Sequence, residues 1–232
     1  MSDLSDVKAV MFDFYGTIVD MQKGLTEAIA PYLQRKGYDG AAGRLVTWWR
    51  RTHFENSMID ALLHRDHTPY RQIGFISLEY TLDRAGIAHT DDEVRVLVDE
   101  ITRLKPFPDV ASALDRLRGD YRLVILSNGD PDMLAAGVPY SGIAFDRVIS
   151  VAEAGAFKPH VATYLKASEL IGLSPAEILF VANHAFDCVG AKAFGMKTAF
   201  IDRRKRPFGK WTYQPDLIVA NFSELADSLT PV

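Results

Sequence analysis

Residues 7–17 read VKAVMFDFYGT, a mostly apolar run that passes directly into an aspartate, two aromatic residues and a glycine. A run of this kind predicts a strand that is covered on both faces, as in a parallel sheet. Comparable runs recur later in the chain, at residues 123–126, 147–151, 178–181, 198–201 and 217–219. Helical stripes alternate with these runs, at Val110, Ala113, Leu114 and Leu117 and at Val161, Tyr164, Leu165 and Ser168. This alternation predicts an α/β fold with a doubly wound, Rossmann-like parallel sheet.

The segment between the first two runs has a different pattern. It lacks a comparable apolar run and carries helical stripes, at Phe75, Leu78, Leu82 and Ala85 and at Val94, Leu97, Val98 and Ile101. It ends at residues 105–108, Lys-Pro-Phe-Pro, where two prolines block helix continuation. We therefore predict a sheet-containing core made of residues 1–18 and 105–232, with an all-helical cap, residues 19–104, inserted after the first strand.

Composition excludes several classes of protein. The 232 residues are 48% hydrophobic and 11% aromatic, which argues against a largely disordered chain. The formal net charge of -4 provides no basic surface for nucleic acid. No apolar run approaches the ~20 residues that cross a bilayer, and the acidic start is unlike a signal peptide. The single cysteine, Cys188, cannot form an internal disulfide and is expected to be buried. We expect a soluble, cytoplasmic protein with no nucleic-acid or membrane partner.

Polar residues follow the predicted strands at the edge where parallel strands present their carboxyl ends. Asp13 follows the first strand, Ser127-Asn128 the second, and Asn183-His184 with Asp187 the fourth, while Lys158 precedes a proline. Taken singly, each residue has an ordinary explanation as a turn residue, a helix cap or a solvent-exposed charge. Ligands of open α/β sheets bind outside the carboxyl ends of the strands, so together these residues indicate a binding site.

The order of these residues resembles the four motifs of the haloacid dehalogenase-like hydrolase superfamily. The resemblance covers nearly the whole chain, including the helical insertion, which is where that superfamily carries its cap. Most members are magnesium-dependent phosphatases that read Asp-x-Asp-Gly-Thr. Here Tyr15 replaces the second aspartate, and Asn183 stands where an acidic metal ligand is expected. Loss of both the general acid and a metal ligand disfavours phosphoryl transfer.

The form Asp-x-Tyr-Gly-Thr is instead similar to the L-2-haloacid dehalogenases, a metal-free branch of the superfamily. Trp49-Arg50, in the first long cap helix, matches an aromatic–arginine pair of that branch. The resemblance implies that no cofactor or metal ion is needed. Asp13 would displace halide from the α-carbon of a 2-haloacid, and water oriented by Asp187 would hydrolyse the resulting ester to a 2-hydroxy acid.

The same resemblance implies supporting roles. Lys158 would keep Asp13 ionised and Thr17 would bind its carboxylate, while Arg50 and Asn128 would stabilise the departing halide. Ser127, with backbone N–H groups near Phe14 and Tyr15, would hold the substrate carboxylate, and Tyr164 would orient the lysine or the substrate. The implied substrate-binding set is Phe14, Tyr15, Ser127, Asn128, Arg50, Tyr164, Asn183, Phe186, Trp48 and Phe54.

The fourth motif departs from the branch. The dehalogenases usually read Ser-Ser-Asn-Ala-Trp-Asp, whereas this chain reads Ala182-Asn183-His184-Ala185-Phe186-Asp187. His184 could assist Asp187 as a base, or it could protonate a leaving group. The second option keeps open a relative that hydrolytically opens azetidine-2-carboxylate. A phosphatase and a non-catalytic binding protein are the remaining alternatives.

Three further features lead to predictions: the basic loop, the histidines and the oligomeric state. The basic residues 203–206 are expected in an exposed loop at the rim of the site or in a dimer contact, because this loop lies near the site in the dehalogenases. His64, His67 and His89 lack metal-ligand spacing and are expected at the surface. The branch is commonly dimeric, which implies a homodimer.

Overall fold

The computed structural model describes residues 4–63 and 66–230. Six parallel strands form one sheet in the order β3-β2-β1-β4-β5-β6. The strands are β1 (Ala9–Phe12), β2 (Arg122–Ser127), β3 (Arg147–Ser150), β4 (Ile178–Ala182), β5 (Lys197–Ile201) and β6 (Leu217–Val219). The α/β prediction is confirmed, and strand ends differ from the apolar runs by one or two residues because pairing, not hydropathy, defines them.

The register of the central strands positions the site. Phe12 at the end of β1 aligns with Ile125 of β2 and Val181 of β4. All the strands run in the same direction, so the residues that follow β1, β2 and β4 emerge side by side at one edge. Asp13 is the first of them, and its backbone N–H donates to the Val181 carbonyl at 3.0 Å.

Five helices accompany the sheet. They are α5 (Val110–Leu117), α6 (Pro131–Ser141), α7 (Val161–Ile171), α8 (Ala185–Phe194) and α9 (Phe222–Leu229). The predicted apolar stripe of α5 is buried throughout. The stripe predicted for α7 is wrong in part: Val161 and Leu165 are exposed, whereas Tyr164 and Ser168 are buried together with Ala167. The buried face of α7 therefore contains polar side chains.

The predicted helical insertion is also confirmed. It contains α1 (Met21–Arg35), α2 (Ala42–Leu62), α3 (Tyr70–Arg84) and α4 (Asp91–Asp99), followed by a 3-10 turn at Glu100–Arg103. The two connections to the core lie side by side, since the Asp20 N–H donates to the Lys105 carbonyl at 2.9 Å. Asp20 also caps α1 by accepting from the Lys23 N–H. None of the described helices is long and apolar enough to cross a membrane.

The buried side of the long helix α2 does not include all of its apolar residues. Ile59, Leu62 and Leu63 at its end are exposed apolar residues. The side that packs onto the rest of the protein follows the helical period instead, through Leu45, Val46, Trp49, His53, Ser57 and Asp60. This side includes polar residues after Arg50 and packs on α3, where the His53 ring contacts Tyr70 and Trp49 donates to the Gly74 carbonyl at 3.1 Å.

Candidate active site

A buried ion-pair cluster lies at the carboxyl edge of the sheet. The Lys158 ammonium is 2.9 Å from Asp13 Oδ1 and 2.7 Å from Asp187 Oδ2, and it donates to the Leu126 carbonyl at 2.9 Å. Lys158 is 1% exposed and Asp187 is 0% exposed. Thr17 donates to the second oxygen of Asp13, Oδ2, at 2.6 Å. Residues 145 positions apart thus meet because β1 occupies the centre of the sheet.

The pKa values of the two carboxyls in the cluster are shifted in opposite directions. Burial alone would raise the pKa of Asp13, but Lys158, His184 and Thr17 hold it well below its usual range. Burial and the neighbouring Asp13 charge raise the pKa of Asp187, despite Lys158 and Tyr164. The pKa of Lys158 is raised, because the two carboxylates outweigh the effect of its burial. Asp13 is therefore held as a carboxylate beside a permanent cation.

The second motif, Ser127-Asn128, lies beside this cluster. Asn128 borders the cavity, and its Oδ1 accepts from the Lys158 backbone N–H at 3.0 Å. Ser127 is fully buried and is not part of the cavity wall; its Oγ accepts from the Gly129 N–H at 3.1 Å. Of the two residues, the structure brings only the asparagine side chain to the cavity surface.

The fourth motif places its polar groups at different depths. Asn183 borders the cavity and donates from Nδ2 to the Gly16 carbonyl at 2.9 Å. Asp187 lies behind the cavity wall, and its Oδ1 accepts from the Tyr164 hydroxyl at 2.7 Å. Tyr164 is also fully buried, and its hydroxyl contacts Asp187, not the cavity. Neither side chain is at the surface where the resemblance expects water or substrate.

His184 borders the cavity beside Asp13. Its Nδ1 is 3.6 Å from Asp13 Oδ2, and its Nε2 is 3.2 Å from a guanidinium nitrogen of Arg204. The imidazole is therefore the side chain of the fourth motif that faces both the nucleophile candidate and the cavity.

A cavity of about 760 Å³ lies between the cap and the sheet edge. Arg50 enters it from α2 and donates to Gln22 Oε1 of α1 at 2.9 Å, while its Nε has no hydrogen-bond partner among the residues that the structure describes. Burial and the nearby Arg204 lower the pKa of Arg50. Guanidinium groups keep their charge under such conditions. The cavity thus holds an incompletely bonded cation opposite Asp13.

Aromatic side chains form the apolar wall. Tyr15 stacks on Tyr70 of α3 at 5.7 Å, and Phe54 of α2 meets Phe186 of α8 at 4.5 Å. Phe14 lies behind Tyr15, in edge contact with its ring and away from the cavity.

Trp48, predicted as part of the wall, is outside it. Its ring lies 5.3 Å from the Arg84 guanidinium of α3. At 100° per residue, Trp48 and Arg50 point to opposite sides of α2, so the two residues cannot both face the cavity.

Several cavity residues carry no motif that the sequence analysis could detect. They are Asp20, Met21, Gln22, Thr47, His53, Ser57, Tyr70 and Phe107. His53 and Ser57 follow Arg50 by three and seven positions, the spacing of one helix face, and this signal could have identified them. Gln22 and Tyr70 come from other helices, and only the packing of the cap brings them to the cavity.

His53 provides a test of this packing through acid stability. It is 2% exposed, its ring contacts Tyr70 at 4.0 Å, and neither ring nitrogen has a hydrogen-bond partner. Burial lowers its pKa to about 3. The unfolded chain takes up this proton below about pH 6.5 and the folded protein does not, so stability falls between these pH values.

We expect His53→Phe, which keeps the ring contact, to reduce the loss of unfolding free energy between pH 7 and pH 4. Urea unfolding at both pH values measures the difference. An identical loss in the variant and in the wild type would contradict the buried neutral imidazole.

Gly16 provides a test of the turn after Asp13. Its φ is +91°, and a Cβ added there would lie 3.0 Å from His184 Cε1 and 3.3 Å from an Arg50 nitrogen. Gly16→Ala is therefore expected to cost about 1–3 kcal/mol of stability and to lower turnover by displacing both side chains. Gly86→Ala is the matched control, because Gly86 has a φ of +67° with no atom near the added Cβ. We expect the control to lose stability and to keep its activity, as chemical unfolding and kcat/KM will show.

The remaining predictions concern the cysteine, the histidines and the basic loop. Cys188 is buried, as expected. The expectation of surface histidines is wrong for His67 and His89, whose side chains are 11% and 12% exposed, and His64 lies outside the described residues. Of the basic loop, Arg203 is bound to Asp109 at 3.0 Å, and Arg203, Arg204 and Arg206 border the cavity. Among residues 4–63 and 66–230, no group of three or more His, Cys, Asp or Glu side chains could hold a metal ion.

This fold and site define a capped α/β enzyme of the hydrolase type, with a lysine-paired aspartate at the base of its cavity. The family model described as haloacid dehalogenase-like hydrolase matches residues 7–195. The chain belongs to this family, and within it to the branch of the L-2-haloacid dehalogenases. It is an enzyme of the 2-haloacid dehalogenase class.

Relatives of known description support this assignment. The chain is 37% identical to an (S)-2-haloacid dehalogenase of Xanthobacter autotrophicus, over 85% of this chain and 76% of that protein. It is 32% identical to haloacetate dehalogenase H-2 of Moraxella sp. (strain B), over 93% and 95% of the two chains. The solved L-2-haloacid dehalogenase of Xanthobacter autotrophicus superposes with a TM-score of 0.87 at 32% identity, covering 96% of this chain and 98% of that one. A second structure of that enzyme, with chloropropionic acid covalently bound, gives a TM-score of 0.84 at 31% identity, with the same coverage.

Proposed function

We propose that the protein hydrolyses short-chain (S)-2-haloacids, including haloacetates, to 2-hydroxy acids through an ester on Asp13 and without a metal ion. The observation that carries the proposal is the ionised, buried Asp13, which opens into a cavity that Arg50 enters from the cap, next to the turn at Gly16. Lys158 supplies the positive charge at the nucleophile that a metal ion supplies in the phosphatases. The activity of the Xanthobacter and Moraxella relatives agrees with this substrate class.

In the first step, a carboxylate oxygen of Asp13 attacks the α-carbon and the carbon–halogen bond breaks with inversion. Negative charge moves from the carboxylate to the halide, so the stabilising donors must stand where the halide leaves. Arg50, with an unbonded Nε, and Asn128 are the proposed donors. The aromatic wall of Tyr15, Tyr70 and Phe186 limits hydration of the nucleophile. The covalently bound chloropropionic acid of the Xanthobacter enzyme supports an ester at this stage.

In the second step, water attacks the carboxyl carbon of the ester and releases the 2-hydroxy acid. Asp187 is fully buried, and its oxygens accept from Lys158 and Tyr164, so it is not placed at the cavity surface. We therefore assign to Asp187 the task of holding Lys158, and to Asn183 the contact with water at the cavity surface.

The alternative within the branch, ring opening of azetidine-2-carboxylate, rests on His184. Its leaving amine needs a proton, and the His184 imidazole, 3.6 Å from Asp13 and at the cavity surface, is a candidate donor. A phosphatase is disfavoured by Tyr15, because burial raises the pKa of its hydroxyl well above the ordinary value. Such a hydroxyl is a poor general acid.

The deciding experiment measures halide release without added metal from L- and D-2-chloropropionate, chloroacetate and fluoroacetate. We expect release from the L-isomer and from chloroacetate, and none from the D-isomer. Azetidine-2-carboxylate and a generic phosphate ester with magnesium are assayed in parallel. Activity on either of these, with no halide from any haloacid, would overturn the proposal.

Isotope labelling tests the ester separately. In a single turnover with excess enzyme in ¹⁸O-water, the new hydroxyl oxygen comes from Asp13, so the product should be unlabelled and the enzyme should gain the label. Labelled product in the first turnover would indicate direct attack by water and would contradict covalent catalysis.

The homodimer remains a prediction. The exposed apolar residues Ile59, Leu62 and Leu63 at the end of α2 are compatible with a subunit contact. Light scattering coupled to size exclusion measures the mass, and a monomer at micromolar concentration would contradict the prediction.

A further inference from the structure

Arg204 makes an unusual contact with the imidazole beside the nucleophile. It lies in the loop after β5, and its Nη2 is 3.2 Å from His184 Nε2. The other ring nitrogen, Nδ1, is 3.6 Å from Asp13 Oδ2. His184 is therefore placed between a permanent cation and the carboxylate of Asp13, with one nitrogen directed to each.

This arrangement determines where the imidazole carries its proton. A guanidinium group has five N–H donors and no acceptor, so the nitrogen that faces it must be an acceptor. A neutral imidazole that accepts at Nε2 carries its proton on Nδ1. In His184 this nitrogen lies 3.6 Å from Asp13 Oδ2, an oxygen that accepts from the Thr17 hydroxyl at 2.6 Å.

The loop is built to hold Arg204 in this position. Arg203, its neighbour, is bound to both oxygens of Asp109 at 3.0 Å and lies 3.9 Å over the ring of Phe107. On the other side, Asp202 accepts from the Arg206 N–H at 2.9 Å and closes the turn. Lys205 at the apex has a φ of +49°, a conformation that residues other than glycine adopt rarely.

We propose that Arg204 is a positioning residue that fixes the Nδ1–H tautomer of His184, so that His184 presents a neutral N–H group to Asp13 and can donate from it when charge develops on the Asp13 oxygens. This proposal rests on the proposed function for its catalytic consequence, the hydrolysis of the Asp13 ester. It differs from the two roles that the sequence left open for His184, since the imidazole neither removes a proton from water nor protonates a leaving group.

The donor acts when water attacks the ester. A bond forms between the water oxygen and the Asp13 carboxyl carbon, and the bond from this carbon to the alkyl oxygen breaks. One water proton passes to the departing oxygen of the 2-hydroxy acid, and the other is released as Asp13 ionises again. Negative charge develops on both oxygens attached to the carboxyl carbon, so a donor at Oδ2 stabilises this step whichever of them carries the alkyl group. In the preceding displacement of halide, the Asp13 carboxylate loses negative charge, so the His184 N–H group does not stabilise that step.

The tautomer can be measured directly in the ligand-free enzyme. Imidazole ¹⁵N chemical shifts distinguish protonated from unprotonated ring nitrogens, and His184→Gln identifies the signals. We expect a protonated Nδ1 and an unprotonated Nε2 in the wild type. Arg204→Met should shift the proton towards Nε2, the form that imidazole side chains favour in water, and Arg204→Lys should restore Nδ1–H.

Lys205→Met is the matched control. The substitution removes a positive charge from the same turn, but Lys205 does not border the cavity. We therefore expect it to leave the tautomer unchanged. A proton on Nε2 in the wild type, or an Nδ1–H population in Arg204→Met equal to that of the wild type, would overturn the proposal. This measurement requires no substrate, so it is independent of whether haloacids are turned over.

Single-turnover kinetics with L-2-chloropropionate test the consequence. We expect Arg204→Met to slow ester hydrolysis by about tenfold, with halide release changed far less, so that the covalent adduct accumulates in the mass spectrum. The factor is below that for complete loss of an oxyanion donor, because part of the population retains Nδ1–H. Equal slowing of both steps would contradict the assignment of the donor to ester hydrolysis.

Discussion

Asp13→Asn is expected to abolish halide release, with a loss of at least ~10³-fold in kcat/KM, because an amide is not a nucleophile at carbon. The side chain keeps its shape, and its oxygen can still accept from Lys158, which remains paired with Asp187 at 2.7 Å. The variant should therefore stay folded and bind substrate. Single-turnover halide assays with enzyme in excess measure the loss, and unfolding curves verify the fold.

Asp20→Asn is the matched control for this substitution. Asp20 borders the same cavity, does not contact Lys158, and caps α1 through the Lys23 N–H, a role that asparagine also performs. We expect this variant to retain activity of the same order as the wild type. If Asp13→Asn also retained such activity, Asp13 would not be the nucleophile.

Lys158→Met is expected to have the largest effect on stability. The substitution leaves Asp13 and Asp187 buried together without the cation that neutralises them, a situation that costs about 3–5 kcal/mol in comparable buried pairs. Halide release should also fall steeply, because Lys158 is the neighbouring charge that holds the pKa of Asp13 low. Urea unfolding and halide assays measure the two effects.

The pH dependence of Lys158→Met has a definite sign. Without the cation, burial and mutual repulsion raise the carboxyl pKa values of the folded protein above those of the unfolded chain. The folded state then binds more protons, so the unfolding free energy of the variant decreases as pH rises from 5 to 8. The difference from the wild type should accordingly be larger at pH 8.

The control is Lys36→Met, which breaks a partly exposed pair with Glu93 at 2.8 Å. Exposed pairs contribute little, so its loss should be much smaller and nearly independent of pH in this range. A comparable loss in both variants, or a Lys158→Met curve parallel to that of the wild type, would contradict the buried cluster.

The sequence predicted much of the candidate site because its key residues occupy strand ends. An apolar run followed by Asp13 indicates both a strand and the edge at which it ends, and parallel strands bring Asn128, Asn183 and His184 to the same edge. The helical cap was predicted for a similar reason, since the helical period is a local property of the chain. Arg50 came from the family resemblance, and the structure brings it to the cavity from α2.

The local sequence pattern did not show how deeply a side chain is buried or which group it contacts. Trp48 and Arg50 are two positions apart and face opposite sides of α2, although both were expected at the cavity. Asp187 was expected to orient water and Tyr164 to orient the lysine or the substrate, but the two side chains bind each other behind the cavity wall. Their hydroxyl and carboxylate satisfy each other because burial makes an unpaired polar group costly.

By itself, the sequence determined the order of strands and helices, the insertion of the cap and the residue types at the carboxyl edge of the sheet, because hydrophobic periodicity and turn chemistry act over a few neighbouring residues. The tertiary structure alone decided which groups share a hydrogen bond. Lys158 meets Asp13 across 145 positions, and Arg204 reaches His184 across 20. Such contacts depend on the register of strands and the packing of the cap, and these in turn depend on the whole buried core.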